Sequence, residues 1–159
     1  MRNMLLTFLA ACTALFVAAE GLAQTPPLYG EPITLEQARA AVAAADAEAK
    51  KNNWNLTFAV VGPYGNLIYF QKNDRTHNAT IQIAQDKARS AALFRTPTKV
   101  FMDRLGKGET YVGYLSGVTP VGGGVPIIVG GKVIGAIGAS GATADQDHQA
   151  ASAGAAAVK

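Results

Sequence analysis

Apolar residues Leu35, Ala38, Val42, Ala45 and Ala49 recur at steps of three and four, while Glu36, Arg39, Asp46 and Lys50 occupy another face. That spacing predicts an amphipathic helix. Thr34, followed three residues later by Gln37, is a capping box at its start, and Lys51-Asn52-Asn53 supplies turn chemistry at its end. Leu56 to Val61 is rich in β-branched and aromatic side chains, Gly62-Pro63-Tyr64-Gly65-Asn66 is a turn, and Leu67 to Gln71 returns to strand character. Together they predict a β-hairpin. A second helix, capped by Asn78 or Thr80, carries a narrow face of Ile81, Ala84, Ala88 and Ala91 that can lie close on a sheet. Thr96-Pro97-Thr98 breaks it, and Thr98 can cap a shorter helix through Leu105.

The last third changes character, because twelve of the seventeen glycines fall between Gly106 and Gly141. Val125 to Val129, Gly130-Gly131 and Lys132 to Ile137 predict a second hairpin, the paired glycines supplying positive φ angles in its turn. An alanine-rich helix opened by Thr143 or Asp145 then runs through Val158. Helix, hairpin, two helices, hairpin, helix predicts an α/β (α+β) domain, a mostly antiparallel sheet between helical layers.

The N-terminus concerns destination. Arg2 precedes an apolar stretch, Leu5 to Ala19, and the small-residue site Gly21-Leu22-Ala23, the pattern of a secretory signal peptide covering residues 1–23. The stretch is short of the roughly 20 residues a membrane-spanning helix needs, so no membrane span is expected. A competing cut at Leu9-Ala10-Ala11-Cys12 would leave too short an apolar region ahead of Cys12. With Cys12 removed, the mature chain has no thiol, which excludes disulfides and cysteine chemistry. A Pro-rich leader, 24–32, precedes a single domain, 33–159, in a protein expected to be periplasmic or secreted.

The net charge is +3, and Lys87, Arg89, Arg95, Lys99, Arg104 and Lys107 form the densest basic run. A solvated helical face explains such a run; a rim for an anionic ligand is the sharper reading. No aromatic stripe accompanies these charges, so nucleic acid is not an expected partner. Gly138-Ala139-Ser140-Gly141-Ala142 misses the nucleophile elbow at its last position, and Gly135 to Gly141 lacks dinucleotide-loop spacing. No catalytic residue is assigned. His77 and His148 are the two histidines. Asp145, Asp147 and His148 could approach a metal at a helix N-terminus, although carboxylates there commonly serve the helix dipole. His77 reads as an exposed loop residue. Asn55-Leu56-Thr57 and Asn78-Ala79-Thr80 match the glycosylation sequon, which strand and helix roles explain equally well.

The segment Gly113 to Ile127 is costly to order, each glycine losing about 0.5–1 kcal/mol relative to Ala in regular structure. Such a segment can let backbone approach a flat or bulky guest, with Tyr111, Tyr114 and Thr119 supplying rings and a hydroxyl, or it can be a rigid crossover between strands.

Four motifs occur in order: Tyr29-Gly30-x-Pro32-Ile33-Thr34-Leu35-x-x-Ala38; Lys87-Ala88-Arg89-Ser90-Ala91-Ala92-Leu93-Phe94-Arg95-x-Pro97-Thr98; Gly123-Gly124-Val125-Pro126-Ile127; and Gly135-Ala136-Ile137-Gly138-x-Ser140-Gly141 with Asp145-Gln146-Asp147. Together they resemble the GlcG/HbpS family of heme-binding proteins, related to the C-terminal domain of PduO-type corrinoid adenosyltransferases. The resemblance spans Tyr29 to Val158 and implies a profilin-like α-β-α sandwich, a homo-oligomer, and a site for heme or another tetrapyrrole or corrinoid. It does not imply catalysis. Thr119, in Val118-Thr119-Pro120-Val121, matches the position of an oxygen donor near heme iron, with His148, Tyr111 and His77 as alternatives, so Thr119 and His148 are the candidate metal ligands. Arg95 or Lys99 would meet propionates through charge-assisted hydrogen bonds. A second reading is an accessory protein or small enzyme acting on a hydroxy acid or aromatic compound, which rests on family analogy. An assembly scaffold is a third.

Overall fold

The computed structural model describes residues 25–159; the signal-peptide reading and Cys12 lie outside them. The first helix, α1 (Leu35–Lys51), begins at the capping box: the Gln37 N–H donates to Thr34 Oγ1 at 3.2 Å, and the Thr34 N–H donates to Gln37 Oε1 at 3.0 Å. It ends through Asn52 and a left-handed Asn53 (φ 59°), with the Trp54 N–H returning to the Ala49 carbonyl at 2.9 Å. Asn tolerates that conformation better than most residues.

Leu28–Tyr29 forms a short strand, β1, inside the stretch read as a leader, so part of that leader belongs to the sheet. The strands β2 (Thr57–Val61) and β3 (Leu67–Lys72) form the first hairpin, and β4 (Gly124–Val129) and β5 (Lys132–Ser140) the second. Gly130 and Gly131 both have positive φ, as a two-residue turn of this kind requires. The last strand runs three residues further than its hydrophobic pattern predicts, because Gly138, Ala139 and Ser140 pair with Ala59, Phe58 and Thr57. One edge of β5 carries β4; the other carries β1, in parallel, and then β2, antiparallel, with β3 outermost.

The strands sort side chains by alternation. Phe58, Val60, Ile137 and Ala139 meet α1 and the last helix, α4 (Ala144–Ala156), in the main core. Val61 and Ala136 meet Ala88, Ala91 and Ala92 of α2 (Thr80–Phe94). Helices thus cover both faces of a five-stranded, mostly antiparallel sheet. A short helix, α3 (Thr98–Gly106), and a 3₁₀ turn, Thr110–Tyr114, lead from α2 toward β4.

Glycine decides how close α2 can come. Gly124 and Gly138 are register partners on β4 and β5, and both face α2. A Cβ on Gly138 would overlap the Ala84 carbonyl and lie 2.8 Å from the Ala88 nitrogen; one on Gly124 would overlap the Lys87 carbonyl. The pair makes a trench for the helix backbone. Several glycines of the glycine-rich segment are therefore filled by the chain itself: Gly122 against α4, Gly124 and Gly138 against α2, and Gly141 against the Asn55 carbonyl. They make room for the chain's own backbone, not for a guest.

Two expected caps are not used as caps. The N-cap of α2 is Ala79, and the Thr80 hydroxyl instead donates to the His77 carbonyl at 2.7 Å and meets Thr57 Oγ1 at 2.8 Å. Pro97 precedes α3, while the buried Thr98 hydroxyl donates to the Val121 carbonyl at 2.7 Å and accepts from the Gly124 N–H at 2.9 Å. Both threonines are spent on tertiary contacts. Thr143, rather than Asp145, caps α4 through a second capping box with Gln146.

Candidate functional site

The densest basic run does not form one face. Lys87 is buried at 1% exposure, and its ammonium donates to Asp147 Oδ2 at 2.8 Å and to the Ala139 carbonyl at 3.1 Å. Asp147, 2% exposed, also accepts from the Ala142 N–H at 3.0 Å. One ion pair therefore joins α2, the end of β5 and the start of α4 beside Gly123. Burial pushes the Asp147 carboxyl above the ordinary carboxylate range, against the pull of the Lys87 ammonium. The helix-dipole account of Asp147 is corrected accordingly: its carboxylate serves the interior. A metal set of Asp145, Asp147 and His148 is not formed, and no cluster of three or more metal-ligating side chains occurs among the described residues.

Thr119 lines an open hollow of about 300 Å³ with Asp86, Arg89, Leu93, Gly117 and Val118. Its backbone N–H donates to the buried Ser90 hydroxyl at 3.1 Å, so α2 holds the loop in place. Gly117 has φ +80°, a conformation that turns the loop over Leu93 at little cost to glycine. Arg89 is the cation of this hollow; its Nε donates to the Gly65 carbonyl at 3.2 Å and its Nη1 reaches Asp86 at 3.3 Å. Arg89 is not among the site residues expected from the sequence. Its signal was present, because Asp86, Arg89 and Leu93 follow at steps of three and four on the face of α2 opposite its alanines.

The other candidates lie elsewhere. Arg95 ends α2 in the left-handed region (φ 53°), donates to the Pro27 carbonyl at 3.0 Å, and sits over the Tyr29 ring at 5.2 Å. It borders a separate hollow of about 510 Å³ with Pro26, Pro27, Pro97 and Val100. Lys99 bridges Asp145 at 2.8 Å and Asp103 at 3.3 Å, fastening α3 to α4. Beside it, burial and then the Lys99 charge hold the His148 imidazole below its ordinary range, with Asp145 and Asp103 pulling the other way. The Nδ1 of His148 is buried without a hydrogen-bond partner. Tyr111 is half exposed and shares Glu109 with Arg104. The five candidates thus occupy four environments, and only Lys99 and His148 come together. His77 is exposed, as expected, and its carbonyl receives the Thr80 hydroxyl.

No helix of the described residues is long and apolar enough to cross a membrane. Comparison with known proteins places the chain firmly. Protein GlcG of Escherichia coli K12 is 39% identical over 108 residues, covering 68% of this chain and 81% of that protein. The crystal structure of HbpS superposes with a TM-score of 0.75 at 31% identity, covering 90% of this chain and 99% of that one. A PduOC:heme complex shares the fold at a TM-score of 0.72 and 21% identity, over 80% of this chain and 96% of that one. Residues 33–156 match the family model described as "Haem degrading protein HbpS-like", and the chain belongs to that HbpS-like family.

Proposed function

We propose that this protein is an exported heme-binding protein that takes up a tetrapyrrole at the Thr119 hollow, in a sensing or scavenging role. The observation that carries the reading is the composition of that hollow: two apolar side chains, Leu93 and Val118, beside one hydroxyl, one guanidinium and the Asp86 carboxylate, which Arg89 meets through one nitrogen at 3.3 Å. Those residues fit the edge of a macrocycle carrying carboxylates. Leu93, 47% exposed, and Val118 would meet the ring, and Arg89 would hold a propionate by charge-assisted hydrogen bonds. Thr119 would present its oxygen toward the ring centre. At about 300 Å³ the hollow is at the small end of ligand pockets, so a second copy of the chain would cover the rest of the guest. The relationship to HbpS and the heme complex of PduOC support the ligand class, and the apolar N-terminal stretch supports export. Heme would supply an iron centre; the chain's part is to bind and orient it. A neutral hydroxyl is a weak donor to iron, so binding is exchangeable compared with histidine ligation.

Titration of the purified protein with hemin tests this. A Soret shift is expected at micromolar hemin, weakened in Thr119→Ala and Arg89→Gln and retained in His148→Ala. Absence of any shift in the parent protein overturns the reading. Loss confined to His148→Ala overturns the assignment to Thr119 and moves the site to the α3–α4 junction.

A further inference from the structure

On the other side of the molecule, where the end of α1 meets the edge of the sheet, lies an open polar groove of about 430 Å³ lined by Lys50, Asn55, Gln71, Lys72 and Arg75, among others. A second recess of about 210 Å³ shares Lys50, Asn55 and Arg75 and adds Trp54. Nothing in the heme reading uses these residues.

The walls are fixed by hydrogen bonds within the chain. On one side the left-handed Asn53 and the Trp54-to-Ala49 bond close α1. On the other, the loop after β3 is a locked turn: the Arg75 N–H donates to Asn73 Oδ1 at 2.9 Å, the Thr76 hydroxyl to the Asn73 carbonyl at 2.8 Å, and the Lys72 ammonium to the Asn73 and Thr76 carbonyls at 3.2 and 2.9 Å. Thr76 is in turn fixed to the buried Thr57 hydroxyl at 3.0 Å. A ligand entering such a groove meets groups already in position, which lowers the ordering cost of binding.

Charge gives the class of ligand. Lys50 is paired with Asp46 at 2.7 Å, whereas neither Lys72 nor Arg75 has a carboxylate at ion-pairing distance among the described residues. Arg75, together with the one Lys72 N–H not spent on the Asn73 and Thr76 carbonyls, suits a single anionic group, and the planar guanidinium can hold a carboxylate through two parallel N–H donors. The same groove presents the Asn55 and Gln71 amides and the Asp46 and Asp74 carboxylates, which can donate to and accept from hydroxyls. Trp54 stands in the adjoining recess. We propose that this groove is a binding site for a small polyhydroxylated carboxylate of the sugar-acid class, its carboxylate on Arg75 and Lys72 and its hydroxyls on the amides and aspartates. The site is independent of the heme reading, and each can fail without the other.

Trp54 is the chain's one tryptophan and lines the recess that shares Lys50, Asn55 and Arg75 with the groove, so its emission reports changes next to the site. The probe is D-glucuronate, titrated against the full chain with D-glucose and sulfate as comparisons. Expected is a saturating change in emission with glucuronate, at least about tenfold weaker with glucose or sulfate, roughly 1.4 kcal/mol of discrimination. Arg75→Gln, an exposed position, is expected to weaken glucuronate by about tenfold or more, while Lys107→Gln, outside the groove, leaves it unchanged. Equal responses to sulfate and glucuronate would reduce the site to a non-specific anion patch and overturn the proposal. So would a linear, unsaturating response to all three, or an unchanged affinity in Arg75→Gln.

Discussion

Lys87 and Asp147 form an ion pair at 2.8 Å with both side chains out of water, one from the middle of α2 and the other from the first turn of α4. Two charges this deep are stable because each has a further partner besides the other, the ammonium the Ala139 carbonyl and the carboxylate the Ala142 N–H. Removing one partner strands the other. Asp147→Ala or Lys87→Met is expected to cost about 3–5 kcal/mol. The double variant Lys87→Met/Asp147→Leu should recover a large part of that loss. Urea unfolding of the three proteins measures it; strict additivity of the single losses would show that the pair is not coupled.

Gly138→Ala tests the trench. The added methyl meets backbone on α2, the Ala84 carbonyl and the Ala88 nitrogen, and backbone cannot swing aside as a side-chain tip can. Overpacking of that kind costs about 1–3 kcal/mol. The expected result is a clear fall in melting temperature. Gly106→Ala, where a Cβ meets nothing within 4 Å, should leave stability close to that of the parent.

His148 makes stability depend on pH. Its imidazole is held below the ordinary value of 6.5, first by burial and then by Lys99. The unfolded chain therefore takes up a proton that the folded chain refuses. Its contribution is fully present above about pH 6.5 and is lost as pH falls toward the folded value. Asp147 acts in the opposite sense from lower pH, since burial raises its carboxyl: its contribution is present below the ordinary carboxylate value and lost as pH rises through the raised one. The readout is thus the difference in melting temperature between the parent and His148→Gln, followed from pH 7.5 to 5. The difference should shift in favour of the variant as pH falls; a constant difference would refute the role given to His148.

Tyr29 is expected to matter more than its place in a leader suggests. Its hydroxyl reaches the Leu93 carbonyl at 2.9 Å and, at 3.2 Å, the Ala92 carbonyl that also accepts from the Arg95 N–H, so it reinforces the last turn of α2 while its ring supports Arg95. Tyr29→Phe removes the hydroxyl alone, a loss of about 1 kcal/mol. Differential scanning calorimetry resolves a change of that size, and no change would mean that water satisfies both carbonyls equally well.

The elements legible in the sequence are those whose signal is local. Thr34 with Gln37 announces α1, and Gly130-Gly131 announces the second hairpin, because caps and turns are satisfied within a few residues. Thr80 and Thr98 misled for the complementary reason. Each precedes or opens a helix as a cap would, but a partner far along the chain, Thr57 in one case and Gly124 in the other, claims its hydroxyl. Lys87 and Asp147 are sixty residues apart, and no pattern along the chain tells a lysine that will be buried from its solvated neighbours. The glycines show the same limit: Gly117 turns a loop beside a hollow and Gly138 admits a helix, a difference that exists only once α2 is in place. Thr119 is marked by family likeness, whereas Arg89, which shares its hollow, is marked as a site residue only by the face of α2 on which it stands.

The trench has a bearing on how the hollow can respond to a guest. Because α2 is wedged against bare backbone at Gly124 and Gly138, and Ser90 on that helix tethers the Thr119 amide, the wall that α2 contributes cannot yield without prying a helix off the sheet. Any widening must come from the opposite bank, the loop that carries Gly117 and Val118. Adaptation to guests of different size is thereby assigned to one side of the hollow, and tolerance of sequence change should be lopsided in the same way.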